Sequence, residues 1–231
     1  MRRLVLAPHP DDAVWSCGGM LRQWCREGDL TVVTVFDGDG PDVHRPGSGP
    51  AVRRAEDAAA LARWPLRVLG LGLPEATLRY DGAGRALYAG PLALRRAPHP
   101  ADAELTTRLA ELLRPLIAYQ DELLLPLAVR THADHLLVRE AAELALAPGP
   151  GAVRPRVRYY REFPYAPPPP AGGYREHAEP ADFTDWLRGS LVYESQVRGM
   201  FGDAPPFARA LARRTGAPRR CVWTYWVQAV T

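Results

Sequence analysis

The chain contains no lysine and no asparagine. All 29 basic side chains are therefore arginine, set against 26 acids for a net charge of +3. Lysine and asparagine share AA-starting codons, so their joint absence reads as GC-rich coding, and the arginine count loses its weight as a nucleic-acid signal. With so small a net charge and the acids interspersed, no basic patch follows and no nucleic-acid partner is expected. Long apolar runs are also missing. The N-terminal run is too short for a signal peptide, and nothing approaches the roughly 20 residues of a membrane span, so no membrane partner is expected. Cysteine is scarce: Cys17, Cys25 and Cys221 lack metal-type spacing. Cys17 and Cys25 read as small buried residues of one helix. This usage fits a reduced, cytoplasmic setting. No internal repeat is present.

What remains is a chain of 231 residues, 47% hydrophobic, long enough for one sizeable core and ordinary for a single domain over 1–231. Its apolar segments alternate between strand and helix patterns. Strands are expected at Arg3–Ala7, Leu30–Phe36, Leu66–Leu71, Asp121–Pro126, Arg156–Arg161 and Cys221–Val227. Helices are expected at Ala13–Arg26, Ala51–Trp64 (Ala58, Leu61 and Ala62 inward), Ala101–Ala118, from Leu136 to about Leu144, Asp182–Met200 (in two pieces, broken near Gly189) and Phe207–Arg214. Such alternation predicts an α/β domain with a mainly parallel sheet flanked by helices.

The first strand runs into Pro8-His9-Pro10-Asp11-Asp12 and then a helix. In open α/β sheets, ligands bind outside the carboxyl ends of the strands, where this loop falls. His9 and Asp12 offer one nitrogen and one oxygen, a donor pair suited to zinc. Asp11 points elsewhere and is placed to take a proton from the attacking water. Pro8 and Pro10 stiffen the loop. The plainer alternative is that Asp11 or Asp12 caps the helix.

A second cluster, Thr131-His132-Ala133-Asp134-His135, again lies between a buried strand and a helix. If the two loops meet at one sheet edge, His135 completes a His9, Asp12, His135 ligand set. That leaves the fourth position of a catalytic zinc site open. His132 then stands ready to polarise a carbonyl or protonate a leaving amine. Asp134 can orient either histidine.

These residues resemble the LmbE-like (PIG-L) zinc N-deacetylases: P-H-P-D-D near the N-terminus, the following Gly18-Gly19, and the downstream H-A-D-H. The stretch Arg53–Leu61 resembles the family's R-x-x-E helix, and Tyr159–Ala166 resembles a segment of one branch. The resemblance implies a Rossmann-like fold, one Zn2+ per chain, and hydrolysis of an N-acyl group, usually acetyl on an amino sugar. It implies His9, Asp12 and His135 as metal ligands and Asp11 as general base. It makes His132 an oxyanion or leaving-group residue, Asp134 its partner, and Arg53 a substrate-side arginine. Read without the resemblance, Arg53 is better taken as an i,i+3 partner of Glu56. One departure stands out: where the family usually has Glu after P-D-D, this chain has Ala13.

Other acids and histidines read more plainly. Asp37 and Asp39 sit in a D-G turn, and His44, His99 and His177 read as solvated. The stretch Leu73–Pro100 has few regular signals and is expected to form the rim of a substrate pocket. Pro-rich Tyr165–Tyr174 is expected to be an extended lid or linker. Three other chemistries share the cluster: an amidase for another N-acyl amine or thiol conjugate, a metal-dependent phosphoesterase, and a non-catalytic metal or ligand binder. GC-rich coding and the branch resemblance suggest a role in specialised metabolism.

Overall fold

A computed structural model describes residues 1–40, 49–128, 132–146, 154–165, 170 and 172–229. Five strands, β1 (Arg2–Ala7), β2 (Asp29–Thr34), β3 (Arg67–Gly70), β4 (Glu122–Pro126) and β5 (Arg156–Tyr160), run parallel. Two more, β6 (Tyr174–Pro180) and β7 (Val222–Gln228), join antiparallel. Among the described residues they form one sheet in the order β3-β2-β1-β4-β5-β7-β6.

Apolar residues on both faces make β1 and β4 interior strands. Val5 and Ala7 join one buried cluster while Leu4 and Leu6 join the other; Leu124 and its neighbours Leu123 and Leu125 divide the same way. The first face is covered by α1 (Asp12–Glu27), α2 (Pro50–Leu61), α6 (Phe183–Ser190), α7 (Glu194–Phe201) and α8 (Ala204–Thr215). The second is covered by α4 (Ala103–Ile117) and α5 (Ala133–Ala145), which follow the single-turn α3 (Pro91–Leu94). The result is the α/β/α layering expected from the alternation. Among the described residues no helix is long and apolar enough to cross a membrane.

Gly18 and Gly19 let α6 approach α1 closely. A Cβ on Gly18 would lie 2.7 Å from Trp186 Cδ1, and one on Gly19 would lie 2.5 Å from Trp186 Cε3. The Trp186 indole donates to the Trp15 carbonyl at 3.1 Å, and the Trp15 indole donates to the Ser190 carbonyl at 3.2 Å. The glycine pair is therefore a packing device, seating a C-terminal helix against the helix that follows the first polar loop. Ala13 joins the same buried cluster at 2% exposure, so where the family usually carries an acid this chain has a core position.

The sheet order also positions the site. From β1 the chain builds outward through β2 to β3, then returns to β4 on the other side of β1. The β1–β4 boundary is thus a topological switch point, where loops diverge and leave a crevice. Both polar clusters lie there.

Several expectations needed correction. The inward face of α2 is Asp57, Ala60 and Leu61, with Ala58 and Ala62 exposed; the alanine-rich helix gave little basis for choosing a face. Strand β6 was not foreseen. Its sequence, Tyr174-Arg175-Glu176-His177-Ala178-Glu179-Pro180, is polar because it is a largely exposed sheet-edge strand, where charged residues discourage further pairing. The Asp182–Met200 helix does divide, but at residues 191–193, just beyond Gly189. Cys17 is buried, whereas Cys25 is only half-buried. Within the Tyr165–Tyr174 loop, residues 166–169 and 171 lie outside those described, as does His44.

Candidate functional site

The loop after β1 and the start of α5 converge. His9 Nδ1 lies 3.2 Å from Asp12 Oδ2, and His135 Nε2 lies 3.3 Å from the same oxygen. Two donors, each about 2.0–2.1 Å from a tetrahedral zinc ion, stand about 3.3 Å apart, so these spacings suit one cation. All three residues are buried. His135 Nε2 is enclosed and, 3.3 Å from Asp12 Oδ2, makes no well-formed hydrogen bond, an uncommon state for a buried ring nitrogen. A cation is the natural partner for it.

Both histidines are held from behind. His9 Nε2 is 2.8 Å from Asp134 Oδ2, which leaves Nδ1 facing Asp12. His135 Nδ1 is 3.3 Å from Glu162 Oε1, which leaves Nε2 facing Asp12. Carboxylate backing of this kind fixes ring orientation and raises ligand basicity. Glu162 Oε1 also accepts from the Ala128 amide at 2.8 Å. Asp134 is held more tightly still: Oδ2 accepts from the Ala76 amide at 2.8 Å, and Oδ1 accepts from Arg79 at 2.7 Å. Arg79 also donates to Asp102 at 3.0 Å, where the Tyr88 hydroxyl donates as well.

A second cluster with metal-like spacing, His9, His132 and Asp134, is therefore a saturated hydrogen-bond network. Asp134 already accepts from three groups, and His9 turns its other nitrogen toward Asp12. The residues that fit a cation are His9, Asp12 and His135.

Asp11 follows a different logic. It occupies the N-cap position of α1 with φ 103°, and its side chain makes no capping hydrogen bond. Positive φ at a non-glycine residue is strained and persists only where surrounding contacts enforce it. Those contacts are present: the Trp15 amide donates to the Asp11 carbonyl at 2.8 Å, and Arg53 donates to the Pro10 carbonyl at 3.1 Å. The helix-cap reading fails on the same geometry. The Asp11 carboxyl is 3.4 Å from the Arg53 guanidinium, and Asp12 Oδ2 instead accepts the His9 amide at 2.9 Å.

Arg53 does not pair with Glu56. It reaches Glu75 at 2.6 Å as well as Asp11, while Glu56 accepts from the Ser195 amide and hydroxyl at 2.7 and 2.6 Å. The helix-face pairing is overturned because α2 packs Arg53 toward the β1 loop. Arg53, Pro10 and Glu75 also line a cavity of about 150 Å3 that extends past Phe36, Thr77 and Leu78. Glu75, Thr77 and Leu78 of the irregular 73–100 stretch thus form part of its wall. Asp37 and Asp39 serve the adjoining turn: Asp37 accepts from the Gly72 amide at 2.7 Å, and Asp39 pairs with Arg54 at 3.0 Å.

Charge in the centre is strongly redistributed. Burial pushes the His9 imidazole down, but Asp12 and Asp134 outweigh it and raise the pKa to about 9. His135 behaves alike: burial is outweighed by Asp12 and Glu162, and its pKa rises to about 10. Burial would raise Asp12, yet His135 and His9 hold it well below the usual carboxylate range. Burial raises Asp11 to about 8 against the pull of Arg53. His132 is lowered to about 3, first by burial and then by the His9 charge. Its Nδ1 accepts the Asp134 amide at 3.2 Å, so neutral His132 carries its proton on Nε2.

The structure brings together every residue singled out in the two loops, and Arg53 with them. It directs the Asp134 carboxylate to His9; the nearest His132 nitrogen is 3.8 Å from it. Sequence reasoning missed Glu162, Asp57 and Arg79. The signal for Glu162 was present: it follows β5 as His9 follows β1, at the same sheet edge. His99 caps the turn before α4, accepting the Ala101 amide at 3.1 Å, and His177 stacks on Tyr225 at 5.2 Å. Neither joins the site.

Comparison with known proteins agrees with this geometry. The PIG-L family pattern, described as GlcNAc-PI de-N-acetylase, matches residues 4–146. The chain is 32% identical over 248 residues to 2'-N-acetylparomamine deacetylase of Streptomyces fradiae, spanning 96% of this chain and 81% of that protein. A crystal structure of a deacetylase–bog complex in the biosynthesis pathway of teicoplanin superposes with a TM-score of 0.80 at 25% identity, covering 98% of this chain and 97% of that one. The zinc-inhibited form of teicoplanin deacetylase Orf2 shares the fold, with a TM-score of 0.79 at 24% identity over 98% and 97% of the two chains.

Proposed function

The chain belongs to the PIG-L (GlcNAc-PI de-N-acetylase) family and is an N-deacetylase, and on that premise we propose that it removes an acetyl group from the amine of an amino sugar in antibiotic biosynthesis, using one zinc ion per chain. The observation that carries this reading is the buried His9, Asp12, His135 set, with each imidazole backed by a carboxylate and the inward nitrogen of His135 left without a well-formed hydrogen bond.

Held by His9, Asp12 and His135, a zinc ion would supply Lewis acidity and lower the pKa of water. The rest falls to the chain. Asp11, off the ligand set and next to it in sequence, takes the proton of the attacking water. Its buried, strained placement keeps it from the capping bond that would otherwise occupy it. As the amide carbon becomes tetrahedral, neutral His132 donates its Nε2 proton as a hydrogen bond to the developing oxyanion. Donation from a neutral imidazole favours this role over full protonation of the leaving amine. The proton gained by Asp11 is then available to the departing amine. Arg53 steadies the Asp11 carboxylate and faces the adjoining cavity, where sugar hydroxyls can meet its guanidinium and the Glu75 carboxylate.

The test is acetate release from 2'-N-acetylparomamine, N-acetylglucosamine and an N-acylated thiol conjugate, with a chromogenic phosphate ester alongside. Turnover of an N-acetyl amino sugar is the expected result. Hydrolysis of the phosphate ester alone, or zinc binding without any acetate release, would overturn the reading.

A further inference from the structure

Arginine collects at a second place, on the far side of the Arg161–Pro164 segment from α5. A cavity of about 290 Å3 is lined by Arg161, Arg213 and Arg214 together with Phe163, Pro164 and Phe201. It shares no lining residue with the cavity beside Arg53. Among the described residues none of these three arginines makes an ion pair. Arg161 Nε is buried without a hydrogen-bond partner. The Arg214 guanidinium donates to the Glu162 carbonyl, while the Glu162 carboxylate is engaged by the Ala128 amide and His135. The sequence that follows, Ala166 to Gly173, carries no acid.

Two guanidiniums facing one recess with no direct ion pair among the described residues repel, and partial burial strengthens the repulsion. Burial, and then the Arg161 charge, lower the Arg214 pKa to about 10 against a weaker pull from Glu162. Elsewhere the chain pairs its partly buried arginines: Arg3 with Glu122, Arg53 with Glu75, Arg79 with Asp134, and Arg158 with Glu122. Arg161 and Arg214 are set apart by that contrast. Planar guanidinium forks match phosphate and carboxylate oxygens, and the Phe163, Pro164 and Phe201 walls offer apolar contact beside them.

We propose that Arg161 and Arg214, with Arg213 at the rim, form an oxyanion-binding site distinct from the metal centre, which takes a phosphate or carboxylate group carried on an apolar body. The site abuts the centre through Glu162, whose carbonyl meets Arg214 and whose carboxylate meets His135.

The experiment is calorimetric titration of inorganic phosphate, and separately of phenyl phosphate, into the holoenzyme at fixed ionic strength. Arg161→Met, Arg214→Met and Asp12→Ala are titrated beside the wild type. Saturable phosphate binding is expected in the wild type and in Asp12→Ala, about tenfold or more weaker in either arginine variant, with phenyl phosphate binding more tightly than phosphate. Arg214→Met also removes a bond to the backbone, so the decision rests on Arg161→Met, whose lost side chain makes no hydrogen bond among the described residues; its melting temperature checks that it is folded. Absence of saturable binding would overturn the proposal. So would binding that Arg161→Met retains and Asp12→Ala loses, the mark of phosphate on the metal centre. Phenyl phosphate binding no tighter than phosphate would remove the apolar wall from the site.

Discussion

The two polar loops at the switch point carry similar residues on different backbones. His135 lies in the first turn of α5, a regular helix, and needs only Glu162 behind it. Asp11 sits at φ 103° ahead of α1, held by Arg53, the Trp15 amide and a link to Asp57. Asp57 is buried on α2, where its carboxylate accepts from Thr34 at 3.1 Å and Tyr193 at 2.6 Å. A ligand can be presented by ordinary helix geometry, because direction alone suffices. The proposed base must stand beside a ligand without becoming one, and a left-handed residue turns its side chain away. The positive φ at Asp11 falls on the side that moves the proton.

The comparison breaks most sharply at Asp11. Asp11→Ala should retain the metal and lose turnover by about 10²–10⁴-fold, the usual range for a positioned general base. Full activity in that variant, measured by acetate release, would remove Asp11 from the chemistry. On the regular side the effect should be smaller and of another kind. Glu162→Gln keeps the shape but weakens the backing of His135, and metal affinity should fall about 10–100-fold, with activity recovering as metal is added. A competition titration against a chelator reads this directly; unchanged affinity would mean that Glu162 serves the fold alone.

The sequence carried the two loops clearly because each puts several ligand-type residues within five positions between a buried strand and a helix. The parallel core was legible for a related reason: β1 and β4 are apolar on both faces, which few other structures require. Asp57 and Arg79 were not legible, and Glu162 only by its place after a buried strand. Each is a single charged residue in a helix, an irregular stretch or a strand end, and only the tertiary packing buries it. The Arg53 pairing failed similarly, since Glu56 is its neighbour on a helix while Glu75 and Asp11 become neighbours only after the chain folds. Strand β6 was hidden because an exposed edge needs no apolar pattern; its pairing with β7 defines it. Ala13 is the converse case: a departure from the family pattern that the structure absorbs as core packing.

The account stands on the convergence of the two loops upon one cation. Its most direct test is the metal content of purified wild type beside Asp12→Ala, by elemental mass spectrometry. About one zinc per chain in the wild type, lost in the variant, is the outcome that a three-ligand site requires. Equal and negligible zinc in both, even after zinc is restored, would contradict the shared site.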